Sequence, residues 1–79
     1  MKKVTISLNS IGKVKSFVNV ISQFPNDFDL ISGRYVIDAK SIMGIFSLDL
    51  SKPITLAIHS DDQAEVDQIL EVLKPYTIE

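Results

Sequence analysis

The sequence predicts an α+β open-faced sandwich, in which one face of a four-stranded sheet is buried under two long amphipathic helices. The hydrophobic pattern switches repeatedly between the period of a strand and that of a helix, in the order strand, helix, strand, strand, helix, strand, helix. The connections between these segments are only a few residues long. Because the chain has 79 residues and a hydrophobic fraction of 46%, we expect one globular domain over residues 1–79.

The first strand and the first helix are defined by a change of period near residue 10. Residues 4–8 alternate between apolar and polar side chains, which is typical of a half-buried strand. Asn9 and Ser10 interrupt this alternation with turn and capping residues. Apolar side chains then recur at helical spacing until Pro25 ends the helix. The apolar face of this helix comprises Ile11, Val14, Phe17, Val18, Ile21 and Phe24.

A β-hairpin is predicted next, with strands over residues 27–32 and 34–39. Gly33 lies at the tight connection between the two strands, where glycine is common because it tolerates positive φ. The alternating apolar positions are Phe28, Leu30, Tyr35 and Ile37.

The second half of the chain reads as helix, strand, helix. Residues 41–50 form a short apolar helix capped by Ser41, whose hydroxyl can accept an amide of the first turn. Residues 54–59 alternate as the last strand. Residues 60–63 form a capping box that begins at Ser60 and opens the final helix, which ends before Pro75. The apolar stripe of this helix is Val66, Ile69, Leu70 and Leu73.

Composition excludes several classes of function. The chain lacks cysteine and has one histidine, which excludes disulfides, thiolate metal sites and sites with two imidazoles. A net charge of −2 with a single arginine, Arg34, and no tryptophan disfavours nucleic-acid binding. Apolar runs are too short for a membrane span, and the isolated glycines form no phosphate-binding loop. We therefore expect a soluble cytoplasmic protein that uses no cofactor and binds no metal.

The single histidine and a cluster of acidic residues are candidates for a catalytic site and a cation site, and both are expected to be ordinary surface residues. His59 lies at an outward position of the last strand, and no serine or cysteine nucleophile is placed near it by spacing. Asp61, Asp62, Glu65 and Asp67 lack the glycine turn and the spaced ligands of a calcium loop. Acidic side chains at a helix start are stabilised by the helix dipole, so we expect these to be structural.

Ser41 is the most informative residue by its position. A phosphate on a serine at a helix N-terminus, with Lys40 adjacent, is favoured by the free amides and by the charge. The alternative is a helix cap with no further role. The helix that follows is apolar on more than one face, so one or two of its apolar side chains are expected at the surface as a docking patch. The candidates for this patch are Ile42, Met43 and Phe46.

The segment around Ser41 resembles a known family. Residues 40–48 read KSIMGIFSL, which is similar to the KSIMGVMSL segment of HPr, the histidine-containing phosphocarrier of the bacterial sugar phosphotransferase system. The predicted element order is also that of the family, and the resemblance covers nearly the whole chain. It implies a four-stranded antiparallel sheet with three helices packed on one face.

The resemblance implies two phosphorylation sites. One is a histidine at the start of the first helix, in a motif reading GIHARP, which accepts phosphate from enzyme I and passes it to sugar permeases. The other is the serine of KSIMG, here Ser41, which an HPr kinase/phosphorylase modifies. That phosphoserine form docks onto a transcriptional regulator of carbon catabolite repression.

The sequence departs from the family at the histidine. An ungapped match from Ser41 pairs the histidine position with Ser10 and the arginine position with Gly12. A shifted register places Gly12 at the histidine position, so neither register supplies an imidazole. A chain that keeps KSIMG without the histidine is similar to the catabolite-repression HPr-like proteins.

These resemblances predict a regulatory adaptor that is not an enzyme. Ser41 is the expected phosphoacceptor, Lys40 and the helix amides would receive the charge, and the patch of Ile42, Met43 and Phe46 would bind partners. The expected partners are an HPr kinase/phosphorylase and a catabolite-control transcriptional regulator, with no nucleic acid or membrane bound directly. Two alternatives stay open. One is a phosphotransfer protein that uses Ser10 or His59 in place of the family histidine, and the other is a degenerate family member that acts as a protein-binding module.

Overall fold

The computed structural model describes residues 1–78 and confirms the predicted fold class and element order. No helix in this part of the chain is long and apolar enough to cross a membrane. The elements are β1 (Lys2–Ile6), α1 (Ile11–Ile21), β2 (Phe28–Ser32), β3 (Tyr35–Asp38), α2 (Ile42–Phe46), β4 (Ile54–Ile58) and α3 (Gln63–Val72).

The four strands form one antiparallel sheet in the order β1-β4-β2-β3. Leu56 of β4 lies opposite Val4 of β1 on one side and Leu30 of β2 on the other. β4 and β2 are therefore the central strands, and β3 is an edge strand. The outer side of β1 is bordered by the C-terminal segment, since Thr77 forms a bridge with Ile6.

The core lies between one face of the sheet and the helices. Directly opposite residues share a face, so the register brings the apolar positions of β1, β4 and β2 together. The Phe17 ring of α1 packs edge-on against the Tyr76 ring, with 5.7 Å between the ring centroids. The largest fully buried side chains are Phe17, Phe28, Ile6, Leu8, Ile21, Leu30, Ile45, Ile54, Leu56, Ile58, Ile69 and Leu73. All three helices contribute to this list, so all three pack on the same face.

The opposite face of the sheet is open to solvent in part. Thr5, Thr55 and Ile31 are half-buried there, and Val36 is exposed. Tyr35 shares the helix-side face with Ile37, as the predicted alternation requires, yet its side chain is 69% exposed. Tyr35 follows the hairpin turn on an edge strand, where no further strand supports it.

The hairpin between β2 and β3 has the predicted glycine turn. Ser32 pairs with Tyr35, which leaves a connection of two residues. Gly33 has a φ of 59°, and no other residue has a positive φ within residues 1–78. A positive φ only at the first of two turn residues is the pattern of a type II′ turn, which matches the twist of the flanking strands.

Three helix boundaries differ from the prediction. α2 ends at Phe46 and not at residue 50, since the amides of Ser47 and Leu48 bond to carbonyls three residues earlier. α1 ends at Ile21 and not at Phe24, because the chain continues in turns that place the Phe24 amide on the Ile21 carbonyl at 3.1 Å. The N-cap of α3 is Asp62 and not Ser60. A carboxylate accepts two amides at once, and Asp62 accepts those of Ala64 and Glu65 at 3.0 and 3.4 Å.

The central position of Leu56 predicts a large loss of stability on truncation. Leu56→Ala removes a fully buried side chain from β4 and leaves a cavity, which costs about 2–5 kcal/mol of unfolding free energy. Val72→Ala on α3 is the matched control, because Val72 is 41% exposed and its truncation costs below about 0.5 kcal/mol. Urea unfolding followed by circular dichroism measures both. Equal losses in the two variants would contradict the described core.

Candidate functional site

Ser41 lies on the surface where the chain leaves β3 and enters α2. Its amide donates to the Asp38 carbonyl at 3.0 Å, which closes a tight turn. Its side-chain oxygen accepts the Gly44 amide at 3.2 Å, so Ser41 is the N-cap of α2, as predicted. The residue is exposed, which leaves the hydroxyl accessible from solvent.

Two neighbours that the sequence analysis did not single out hold this serine in place. An Asp38 carboxylate oxygen accepts the Lys40 amide at 2.9 Å, which fixes the turn before Ser41. Gly44 has no side chain where a Cβ would lie 3.2 Å from the Ser41 hydroxyl oxygen and 3.4 Å from Ile37. Both residues could have been identified from the local sequence. An aspartate often accepts the amide two residues later in a turn, and a glycine three residues after a capping serine leaves room for its hydroxyl.

Lys40 is engaged with the turn after α1 and with β2. Its ammonium donates to the Phe24 carbonyl at 2.8 Å and lies 5.5 Å from the centre of the Phe28 ring, which is a cation–π distance. The predicted role of Lys40 in receiving a phosphate on Ser41 therefore requires the ammonium to leave this carbonyl. In the unmodified protein the favourable potential at Ser41 comes from the free amides of the first turn of α2.

α2 divides its apolar side chains between the core and the surface. Ile45 is fully buried, and Ile42 is half-buried and packs against the core. Met43 and Phe46 are 77% and 40% exposed. The exposed surface beside Ser41 therefore consists of Met43 and Phe46, which we call the α2 surface, with Ile42 at its base.

Ser10 occupies the start of α1 as a second serine N-cap. Its hydroxyl oxygen accepts the Lys13 amide at 3.1 Å, and the residue is exposed. Gly12 has open space around the position of a Cβ. Ser10 follows β1, which places it near the end of the sheet where Ile6 pairs with Ile54.

His59 lies at the other end of the sheet. It follows Ile58, which lies four positions along β4 from Ile54, roughly 13 Å away at the usual rise. Its ring nitrogen Nε2 lies 2.6 Å from an Asp29 carboxylate oxygen, and both side chains are partly exposed. The structure therefore does not bring the one imidazole to Ser10.

Two acidic residues of α3 accept hydrogen bonds from side chains of this protein. Glu65 accepts hydrogen bonds from Asn26 at 2.6 Å and from Ser60 at 2.7 Å. Asp67 accepts one from Gln63 at 2.8 Å. No group of three or more side chains suited to a metal ion occurs within residues 1–78.

The loop after α2 is shaped by Asp49. A carboxylate oxygen of Asp49 accepts the Ser51 hydroxyl at 2.5 Å and the Ser51 amide at 3.1 Å, and Lys52 lies 3.9 Å from the other oxygen. These interactions, with the Ser51 hydroxyl first, lower the pKa of Asp49 below its ordinary value. The turn leads the chain from α2 back to β4.

Comparison with known proteins places this geometry in context. A family model described as "PTS HPr component phosphorylation site" matches residues 13–75, which include Ser41 and exclude Ser10 and Gly12. HPr-C-His from Thermoanaerobacter tengcongensis is similar with 31% identity, a TM-score of 0.72, and 92% of this chain and 90% of that chain covered. No curated protein sequence matches the chain.

Two further solved structures are similar. A phosphocarrier protein HPr from Bacillus anthracis has 28% identity and a TM-score of 0.69, with 98% of this chain and 94% of that chain covered. The catabolite repression protein Crh of Bacillus subtilis has 22% identity and a TM-score of 0.63, with 94% and 88% covered. At that identity the likeness to Crh shows the fold alone.

The Asp49 turn predicts a measurable titration. In Ser51→Ala the hydroxyl donor is lost, so the pKa of Asp49 rises toward its ordinary value. NMR titration of the Asp49 carboxyl group measures both proteins. Because the folded pKa is lowered, the stabilisation from this carboxylate is present above the unfolded pKa and is lost as the pH falls through the folded value. An unchanged Asp49 pKa in the variant would contradict the assigned hydrogen bond.

Proposed function

Because this chain belongs to the HPr family of the phosphotransferase system, we propose that it is a non-catalytic regulatory adaptor which is phosphorylated on Ser41. The observation that carries this proposal is the exposed Ser41 hydroxyl at the N-terminus of α2, a helix that exposes Met43 and Phe46 to solvent. A charge added at this serine changes a surface that already has the apolar character of a docking site.

This chain is proposed not to relay phosphate through a phosphohistidine, as the family's carriers do, for a chemical reason. Imidazole is a good leaving group, so a phosphohistidine passes its phosphoryl group on, whereas a serine phosphate ester is inert at neutral pH. Ser10, at the expected histidine position, has its hydroxyl oxygen on the Lys13 amide. His59 lies beside Asp29 at the far end of β4. This arrangement supports the proposal that the chain does not relay phosphate to a permease.

The charge of a phosphate on Ser41 is accommodated by the surrounding groups. The phosphate adds about −1.5 to −2 charges at pH 7. The amides of α2 attract it, and the adjacent Asp38 carboxylate repels it. Lys40 then exchanges the Phe24 carbonyl, which its ammonium contacts at 2.8 Å, for the stronger phosphate acceptor. Phosphorylation thus loosens the contact of Lys40 with the turn after α1 as it adds charge to the surface.

The proposed partners are those that the family resemblance implies. An HPr kinase/phosphorylase adds and removes the phosphate, and a catabolite-control transcriptional regulator recognises the modified form. Met43 and Phe46 supply the apolar contact, and the phosphate and Lys40 supply the polar rim. Ile42 supports this contact from its half-buried position. We place this exchange in the cytoplasm of a bacterial cell, where the chain acts as an adaptor and not as an enzyme.

The proposal predicts one phosphate on Ser41. Wild-type protein incubated with ATP and an HPr kinase/phosphorylase gains the mass of a single phosphate, and Ser41→Ala gains none. Ser10→Ala is the matched control, because it also removes an exposed serine N-cap, at a cost of about 0.5–2 kcal/mol. It gains the phosphate as the wild type does. Intact-protein mass spectrometry with fragmentation measures the mass and its position, and thermal unfolding checks that each variant is folded.

A second arm uses phosphoenolpyruvate and enzyme I as the phosphate source. The proposal predicts no added mass there. An acid-labile phosphate on His59, an acid-stable one on Ser10, or labelling of Ser41→Ala by the kinase would each contradict it.

A further inference from the structure

The free edge of the sheet at β3 has the composition of a self-pairing strand. β3 is the terminal strand of the sheet, and no segment within residues 1–78 pairs with its outer side. The other edge is different, because Thr77 borders β1 there. Exposed edges are commonly protected by a short strand, by charged side chains (above all lysine), by proline or by a bulge. Residues 34–38 read RYVID and contain neither lysine nor proline, and their two charges, on Arg34 and Asp38, are of opposite sign.

The backbone of β3 presents its hydrogen-bonding groups outward at Val36. The Ala39 amide donates to the Phe28 carbonyl at 2.9 Å, so this amide points toward β2. Alternate residues of an antiparallel strand point the same way, which directs the amides of Ile37 and Tyr35 toward β2 as well. The amide and carbonyl of Val36 therefore point away from the sheet.

The side chains along this edge are complementary to themselves in an antiparallel arrangement. If Val36 of one copy lies opposite Val36 of a second copy, Arg34 lies opposite Asp38 of the second copy, and Tyr35 lies opposite Ile37. Arg34, Val36 and Asp38 share one face by alternation, and Tyr35 and Ile37 share the other. Each face thus receives complementary contacts: charge pairs flanking valine on one, and apolar pairs on the other.

The charges on this edge have no ion-pair partner inside the described chain. The salt bridges of residues 1–78 include neither Arg34 nor Asp38. Asp38 also lies opposite Asp29 of β2, and like charges in that position are unfavourable. Asp29 has His59 beside it at 2.6 Å. An arginine from a second copy gives Asp38 the equivalent neutralisation.

We propose that two copies of this chain associate through β3, antiparallel about a two-fold axis at Val36, to form a continuous eight-stranded sheet. The two Val36 residues exchange two backbone hydrogen bonds, and each Asp38 amide reaches the Arg34 carbonyl of the other copy. Tyr35 and Val36, which are 69% and 62% exposed in the single chain, become covered. The contact ends at Asp38, whose carbonyl already accepts the Ser41 amide. An interface this short gives a reversible dimer that forms at high protein concentration.

Pairing with a second copy is favoured over pairing with an unrelated strand, because the side chains of β3 are complementary to the same side chains in the reverse order. An isologous interface requires the same patch to satisfy itself on both sides of the axis. In an unrelated strand, an acidic residue opposite Arg34 and a basic residue opposite Asp38 would both have to occur by chance.

Charge reversal tests this arrangement. In Arg34→Asp both ion pairs become repulsive, so the dimer dissociation constant rises about tenfold or more. In Asp38→Arg the new arginine lies opposite Arg34 of the second copy, so the two pairs are again repulsive and the dissociation constant rises. Sedimentation equilibrium up to millimolar protein measures the mass, which is 8.8 kDa for the monomer. Added salt weakens the wild-type dimer.

Mixing the two variants supplies the decisive control. The heterodimer of Arg34→Asp with Asp38→Arg regains both opposite-charge pairs, so the mixture dimerises although each variant alone stays monomeric. The double variant Arg34→Asp/Asp38→Arg also dimerises. Asp38→Arg loses the hydrogen bond to the Lys40 amide, so its folding is checked by circular dichroism. If neither it nor the double variant folds, Arg34→Asp and the salt dependence of the wild-type dimer decide the question.

A wild-type protein that stays monomeric at millimolar concentration would overturn the proposal. An Arg34→Asp variant that dimerises as tightly as the wild type would also overturn it, because the contact would then lie elsewhere. The same holds for a mixture of folded single variants that does not associate.

Discussion

One-sided burial of the sheet is the constraint on which the rest of this structure depends. β4 lies between β1 and β2 and carries Ile54, Leu56 and Ile58 into the core. A chain of 79 residues supports only one such core, so all three helices pack on the same face. The caps of these helices therefore lie at the rim, and the outer face and the β3 edge stay open. Both proposals use these exposed regions, so neither requires the core to change.

The same capping interaction occurs twice with different surroundings. Ser10 and Ser41 each bond the amide three residues later, yet their neighbours differ in charge and exposure. Ser10 is followed by the bare Gly12, where the family resemblance leads one to expect an arginine. Ser41 has the exposed Met43 on its helix and Lys40 held nearby by a carbonyl. The regulation that we propose for Ser41 thus depends less on the serine than on the neighbouring groups that would respond to its phosphorylation.

Local sequence signals predicted the element order, the two serine caps and the Gly33 turn, because each depends on residues within a few positions. Contacts between distant segments were not predictable in this way. Nothing near Lys40 in sequence indicates that its ammonium binds the Phe24 carbonyl. The cap of α3 was misplaced because Ser60 and Asp62 both suit an N-cap. The exposure of Tyr35 was not predictable, because alternation gives the face of a side chain, and whether a helix covers that part of the face depends on the tertiary packing.

The central claim is that phosphate in this member of the HPr family resides on a serine of α2 and not on an imidazole. The most direct measurement is phosphorylation-site mapping of the protein isolated from its own cells, at neutral pH so that any phosphohistidine survives. The account predicts an acid-stable phosphate on Ser41 and an unmodified His59. An acid-labile phosphate on His59, or a phosphate found only on Ser10, would contradict it.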